Sequence, residues 1–440
     1  MGKMLPLCPK RKASMINGFW SRGGRVVSLP NHKFSSAKEG RGNSVMLPLA
    51  GVKVLDLGTI TMGPYAGQWL GDLGADVVKV EPPGGDVSRQ VGPASQTDMG
   101  SVFLGLNRNK RSIVLDLKRS EGQEALKALS DQADVLLHNN RPQKMKALGL
   151  EPEVLRARNP ALIYACLHGF GEAGPYGGRP AYDDIIQGMC GLADLMEQRT
   201  GAAAYLPTVA ADKTCGLIGV VGILAALHKR DRTGEGAYVE VPMFEGMVAF
   251  TAVEHFYGRH FVPPKGPAAF PRAMTPNRRP FRTTDGYICV QPNTDAHWRD
   301  FFAASGEPEL STDKRFTGIA ARIANTDALY VTLARLLLTR SSESWLELLE
   351  RIDVPCGPVK SLIQLTDDPH LTQTEFFTTC GQPDGSAIRF PGVPILFDGE
   401  RPGIRMPPQL DQHAREILAE AGIAASERGE ISEEGALAPL

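Results

Sequence analysis

Acidic residues are nearly missing from the first 45 positions, where Glu39 stands alone among lysines, arginines, serines and glycines. The stretch reads as a disordered basic extension, or as one preceding a true start at Met46. The alternative is a mitochondrial-type transit peptide, which is also Arg- and Ser-rich and poor in acids. No 7–15-residue apolar segment of a secretory signal occurs there, which argues against secretion. The expected location is therefore cytoplasmic, with the mitochondrial matrix as the alternative. Cysteine is sparse: Cys8, Cys166, Cys190, Cys215, Cys289, Cys356 and Cys380 are scattered, odd in number and form no C-x-x-C. That suits a reducing compartment and argues against a zinc site. The nine histidines form no H-E-x-x-H, and no metal is expected. Neither sign of charge dominates, with 48 Lys and Arg against 49 Asp and Glu, so neither nucleic acid nor an anionic membrane is an expected partner. The longest strongly apolar run, Cys215–Leu227, has 13 residues including three glycines. It is too short to span a bilayer and fits a buried core helix. G-x-x-x-x-G-K-[ST] and G-x-S-x-G are absent, and the first strand–helix turn has no G-x-G-x-x-G, so Glu81 alone does not make a dinucleotide site.

What is present describes an ordinary globular chain, 42% apolar and 22% charged over 440 residues, long enough for two or more domains. Val52–Leu57 reads as a strand covered on both faces. A helix starting at Pro64 and a strand Asp76–Glu81 complete a βαβ unit. Strands at Ser112–Leu117, Asp134–Leu137 and Leu162–His168 alternate with helices at Glu121–Ser130, Lys144–Leu150 and Pro152–Arg158. The alternation predicts an α/β fold with a Rossmann-like doubly wound parallel sheet, its ligands at the carboxyl ends of the strands. Helix Met243–Phe256 ends this part. The proline-rich 256–279 reads as a linker, and a hairpin turning at Asp285-Gly286 opens a smaller α+β domain, 280–368. Residues 369–423, with a strand Gly392–Phe397 and a helix Gln412–Ala421, are expected to return to the large domain of 48–255. Residues 424–440 read as a mobile tail.

Three places carry candidate chemistry. Basic residues cluster at Arg108, Lys110, Arg111, Lys118 and Arg119, and again at Arg141, Lys144 and Lys146. Both clusters flank predicted strand ends and read either as solvated surface or as a site for a phosphate-rich ligand. Asp212 precedes the apolar run, as a helix cap or as a reactive group. Asp183 and Asp184, alone, read as turn or cap residues.

Several longer matches bear on that choice. They are Gly51–Leu57, Gly71–Pro82 with its Gly-Asp-Leu-Gly-Ala-Asp core, Asn107–Lys118, Arg179–Asp183, and Gly222–Leu227 followed by Arg232–Gly236. In this order they resemble the family III CoA-transferases, the formyl-CoA and carnitine CoA-transferase family, over roughly residues 48–420. The resemblance implies an aspartate nucleophile at Asp212. It implies coenzyme A contacts at Thr61, Met62, Leu115, Asp116, Leu117, Lys118, Asn139, Asn140 and Arg141, with Tyr182 and Asp183 lining the site. It also implies an interlocked homodimer, for which the glycines at 216, 219 and 222 would leave a bare strip that a partner chain could approach. Three departures stand out: Ala147 and Pro82 occupy positions where the family has basic residues, and 261–275 lacks its glycine-rich closing loop.

The implied reaction moves CoA from a donor acyl-CoA, succinyl-CoA among the candidates, to a carboxylic or dicarboxylic acid, with no tightly bound cofactor. Asp212 passes through an anhydride and an aspartyl-CoA thioester. With an ordinary carboxyl pKa of about 3.9 it is expected to be ionised at neutral pH, and backbone N–H groups after it would steady the oxyanion. Arg272, Arg278 and Arg279 are candidate partners of a second carboxylate. An α-methylacyl-CoA racemase is an alternative, although that reading wants histidine where Tyr182 stands. A non-catalytic CoA-binding protein is the third reading.

Overall fold

The computed structural model describes residues 46–94, 98–382 and 385–424. The basic extension 1–45 and nearly all of the tail 424–440 lie outside the described residues.

The central element is a six-stranded sheet of order β3-β2-β1-β4-β5-β6. Its strands are β1 (Lys53–Asp56), β2 (Asp76–Glu81), β3 (Lys110–Val114), β4 (Val135–His138), β5 (Ile163–His168) and β6 (Tyr238–Pro242). All neighbours run parallel, and the order reverses beside β1, the geometry that opens a crevice at the strand ends. On one face, Val54, Val77, Leu137, Ala165 and Leu167 pack with helices Met62–Asp72, Ala210–Thr233 and Met243–His255. On the other, Leu55, Val78, Val80, Ile113 and Leu136 pack with helices Ser120–Ser130, Pro142–Ala147, Pro152–Arg158 and Ala414–Glu420. Burial on both faces is why these strands read as continuous apolar runs.

β1 and β2 towards their carboxyl ends, and β3 at its amino end, exchange that apolar face for charge. Alternation along a strand puts Val77, Lys79 and Glu81 on the same side, and Asp56 lies opposite Lys79 in the register. Lys110 Nζ sits 2.7 Å from Asp56 Oδ2, both side chains at 0% exposure. Lys79 pairs with Asp86 at 2.8 Å and Arg89 with Glu81 at 2.7 Å, all equally buried. Arg108 holds Asp72 at 2.7 Å. The first basic cluster is therefore neither solvated surface nor phosphate site in these residues: Arg108 and Lys110 are internal partners of carboxylates, and Arg111 pairs with Asp76, Glu416 and Glu420. Burial pushes the Lys110 ammonium down to about 8 against the opposing pull of Asp56.

A third core lies within 281–356, where Trp298, Phe301, Phe302, Leu333 and Trp345 pack together. It holds the antiparallel strands β7 (Phe281–Arg282), β8 (Tyr287–Val290) and β9 (Cys356–Pro358), the first two forming the expected hairpin. The expected strand Gly392–Phe397 does not form. Pro394 has no N–H for a ladder, and the pairing is made upstream by β10 (Phe377–Gly381) and β11 (Ala387–Pro391). Helix Ala414–Glu420 does return to the large sheet, placing Ala414, Ile417 and Leu418 in its core.

Candidate active site

Asp212 stands in the first turn of helix Ala210–Thr233, whose N-cap Val209 supplies no side-chain cap. The first N–H groups of a helix lack intrahelical acceptors. Here the Asp212 N–H donates to Asp183 Oδ1 at 2.9 Å. Asp183 is buried in the first turn of helix Asp183–Met189. The cap of the long helix thus comes from another helix, and the half-buried Asp212 carboxylate accepts no hydrogen bond from the described residues. Burial, and next the Asp183 charge, push the Asp212 carboxyl up to about 7. This corrects the expectation of an ordinary carboxylate, because only part of the population is ionised at neutral pH. The expected oxyanion donors are also corrected. The N–H of Asp212 is taken by Asp183, and that of Lys213 by the Val209 carbonyl at 3.2 Å.

Gln187, which the sequence reading missed, completes this arrangement. It is fully buried one turn after Asp183. Its Nε2 donates to Asp183 Oδ2 at 2.5 Å and to the Thr208 carbonyl at 3.2 Å, while its Oε1 accepts the Leu206 N–H at 2.9 Å. A glutamine four residues after an acid, directly following Ile185 and Ile186, was the available signal.

The glycines of the long helix place Asp212 over the sheet. A Cβ on Gly216 would meet the Met62 carbonyl at 3.0 Å and Tyr65 at 3.2 Å; one on Gly219 would meet Leu167 at 2.8 Å; one on Gly222 would meet Val239 at 2.9 Å. The strip is thus filled by this chain's own helix and sheet, which corrects its reading as a track for a partner chain. Asp212 lies four residues before Gly216, on the same helical face, so this contact carries it towards the loop that leads into Met62.

That loop, Gly58–Thr61, is one of the expected coenzyme A positions. Its backbone folds so tightly that a Cβ on Gly58 would lie 2.7 Å from Gly63 Cα. Asn139 clasps it from the end of β4, accepting the Thr59 N–H and donating to the Thr59 carbonyl, each at 2.8 Å. Thr61 and Met62 are buried at the helix start. Asn140 accepts Lys144 Nζ at 2.9 Å, and exposed Arg141 donates to the Gly178 carbonyl at 3.3 Å. The structure therefore joins Asp183 to Asp212 directly, while Asn139 holds the loop before Thr61 and Met62, and Gly216, four residues beyond Asp212, closes on the Met62 carbonyl. Leu115 to Lys118 follow β3, two strands from β1. The Leu115 side chain belongs to the core, Asp116 and Leu117 are half-buried, and Lys118 is exposed. Tyr182 is 68% exposed beside buried Asp183. Among the described residues, no group of three His, Cys, Asp or Glu side chains is placed to hold a metal.

Sequence comparison decides the family: the description CoA-transferase family III matches residues 49–414. The chain belongs to CoA-transferase family III. The succinyl-CoA:mesaconate CoA-transferase of Haloarcula hispanica is 35% identical over 389 residues, spanning 84% of this chain and 96% of that protein. The succinate–glutarate CoA-transferase of Agrobacterium fabrum is 32% identical, spanning 85% of this chain and 95% of its own. The crystal structure of Rv3272 from Mycobacterium tuberculosis superposes with a TM-score of 0.74 at 31% identity, covering 84% of this chain and 99% of that one. As a family III CoA-transferase the chain is an enzyme, and its substrates are CoA thioesters.

Proposed function

We propose that this enzyme transfers CoA from a donor acyl-CoA, succinyl-CoA first among the candidates, to a dicarboxylic acid, with Asp212 as the nucleophile. The observation that carries the reading is the Asp212 carboxylate itself: half-buried, without a hydrogen-bond partner among the described residues, and relieved of the capping task that its position would otherwise assign it.

The ionised carboxylate attacks the thioester carbonyl of the donor. The C–S bond breaks, giving a mixed anhydride and CoA thiolate. The thiolate attacks the aspartyl carbonyl of that anhydride, releasing the donor acid and leaving an aspartyl-CoA thioester. The acceptor carboxylate attacks this thioester, freeing thiolate and forming the second anhydride. Thiolate then takes the acceptor acyl group, and the Asp212 carboxylate is restored. No proton is transferred in any of these steps. What raises the Asp212 pKa is loss of water, and the same dryness protects both anhydrides from hydrolysis.

The relatives named for succinyl-CoA with mesaconate, and for succinate with glutarate, support a dicarboxylate acceptor. Arg278 and Arg279 line a cleft of about 410 Å³ with Phe281, Gln291 and Tyr330, but neither Asp183 nor Asp212 borders it. Exposed Leu217, Val221, Phe250 and Val253 on helices Ala210–Thr233 and Met243–His255 support a homodimer. The deciding experiment combines Asp212→Ala with mass spectrometry after mixing with succinyl-CoA. The native enzyme gains a CoA adduct on the peptide holding residue 212, and the variant gains none and loses turnover. Substantial turnover by the variant refutes the assignment. Deuterium uptake at C2 of a 2-methylacyl-CoA, with no acceptor acid present, would instead identify a racemase.

A further inference from the structure

We infer that Gln187 is a positioning residue for the transfer reaction, holding the Asp183 carboxylate and the 206–208 approach so that the cap falls on the Asp212 backbone and leaves the Asp212 side chain to react. The inference rests on Asp212 being the nucleophile.

The chain reaches Asp212 through a turn rather than through regular structure. The Thr208 carbonyl accepts the Ala210 N–H at 2.7 Å, and Val209 offers no cap. Locally the turn is tied by its own backbone bonds and by Lys213, whose Nζ donates to Thr208 Oγ1 at 2.5 Å, and none of these reaches the Asp212 N–H. The fixing comes across the fold, and Gln187 is its centre. One amide group reaches Leu206, Thr208 and Asp183, and Asp183 reaches Asp212. Both Nε2 hydrogens and the Oε1 acceptor are used, so the amide is a fully satisfied node at 0% exposure. Gln187 occupies both Asp183 Oδ2 and the carbonyl beside the cap, and so leaves Oδ1 as the oxygen aimed at the Asp212 N–H. Without that restraint, the Asp183 side chain can rotate, and the helix start must find another acceptor. The acid in that first turn is Asp212 itself, and a carboxylate hydrogen-bonded to its own helix start is a poor nucleophile. Displacement of a reacting group by about 1 Å is enough to cost roughly 100-fold in rate.

Two single variants and one double variant test this. Gln187→Met preserves length and loses all three hydrogen bonds. Gln187→Glu retains the acceptor for Leu206 but loses both donors and sets like charges together. Asp183→Asn with Gln187→Glu rebuilds the contact in reverse: the new amide accepts from Asp212 and donates to the new carboxylate at 187. All are compared at about pH 8.5, more than a unit above the Asp212 value, so that protonation does not separate them. The expected result for both singles is a KM for succinyl-CoA within about threefold of native, with kcat and the rate of CoA-adduct formation per folded molecule both reduced about 10- to 100-fold. The double variant recovers at least about tenfold over Gln187→Glu. A role limited to stability would lower the melting temperature while each folded molecule formed adduct at the native rate, and that result overturns the inference. If the singles fold poorly, absence of rescue in the double variant overturns it likewise. Adduct formation by Asp212→Ala would instead overturn the nucleophile reading and leave the Gln187 contacts as fold alone.

Discussion

Asp183 Oδ1 accepts the backbone N–H of Asp212 at 2.9 Å, across 29 positions of sequence. The acid at the start of the long helix is therefore capped rather than capping. The same proximity has an electrostatic price, because the neighbouring charge adds to burial in holding a proton on Asp212 near neutrality.

The pH dependence of turnover follows from that proton. Asp212 is reactive when ionised, so kcat should rise with pH along an acid limb near 7, the value to which burial and Asp183 raise it. Asp183→Asn keeps an oxygen for the Asp212 N–H and removes the charge, so the limb should move to lower pH. A pH profile of single-turnover adduct formation measures both, and an unmoved limb in the variant would contradict the coupling.

Stability should change in the opposite direction. The folded Asp212 carboxyl lies above its ordinary value of 3.8, so between about pH 4 and pH 7 the folded state binds more protons than the unfolded chain. Its contribution to stability is then lost as pH rises through about 7. Asp212→Asn should raise the melting temperature at pH 8 relative to native, with little difference at pH 4. Equal melting temperatures at both values would argue against the raised pKa.

Lys110→Met should destabilise the fold by about 3–5 kcal/mol, because it leaves Asp56 charged and buried without its partner. The double change Asp56→Leu with Lys110→Met should recover much of that loss. Urea denaturation of the four proteins in the cycle gives the coupling directly.

Gly216→Val should lower kcat while the protein remains folded. Its Cβ would press on the Met62 carbonyl at 3.0 Å and Tyr65 at 3.2 Å, lifting the first turns of the long helix from the loop before Met62. A crystal structure would show the Asp212 end displaced, and an unchanged kcat would deny that this contact sets the geometry.

Lys144→Gln with Lys146→Gln should raise KM for acyl-CoA and leave kcat nearly constant, as expected when an interaction is equal in ground and transition states. Both lysines are exposed beside the Asn139–Arg141 segment. The effect should shrink as salt rises.

Much of the architecture was legible because burial on both faces writes itself as uninterrupted Val, Ile and Leu. Strand Asp76–Glu81 and helix Pro152–Arg158 coincide with their sequence readings. What failed was polarity inside the sheet. Lys110 reads from sequence as surface or as a phosphate contact because its partner, Asp56, is 54 positions away, and pattern reading has no access to pairings at that range. The strand expected at Ser112–Leu117 begins instead at Lys110, since a neutralised lysine can occupy a buried ladder position. At the site, Asp212 was visible only through resemblance to a family. Local sequence pointed to a cap, and the residue that does cap, Asp183, could be assigned only once the two helices were seen together.

The cap borrowed from helix Asp183–Met189 sets the order in which the molecule should fail on heating. That helix has seven residues, too few to persist alone in water, and apart from Ile186 in the core it is held by the polar contacts that orient Asp212. The 24-residue helix bearing Asp212 is seated on the sheet. Local opening of the short helix can therefore silence the enzyme while the sheet and its two layers of helices remain intact. Heat inactivation should precede melting, and the interval between them measures how much of the reactive geometry is lent by the smaller helix.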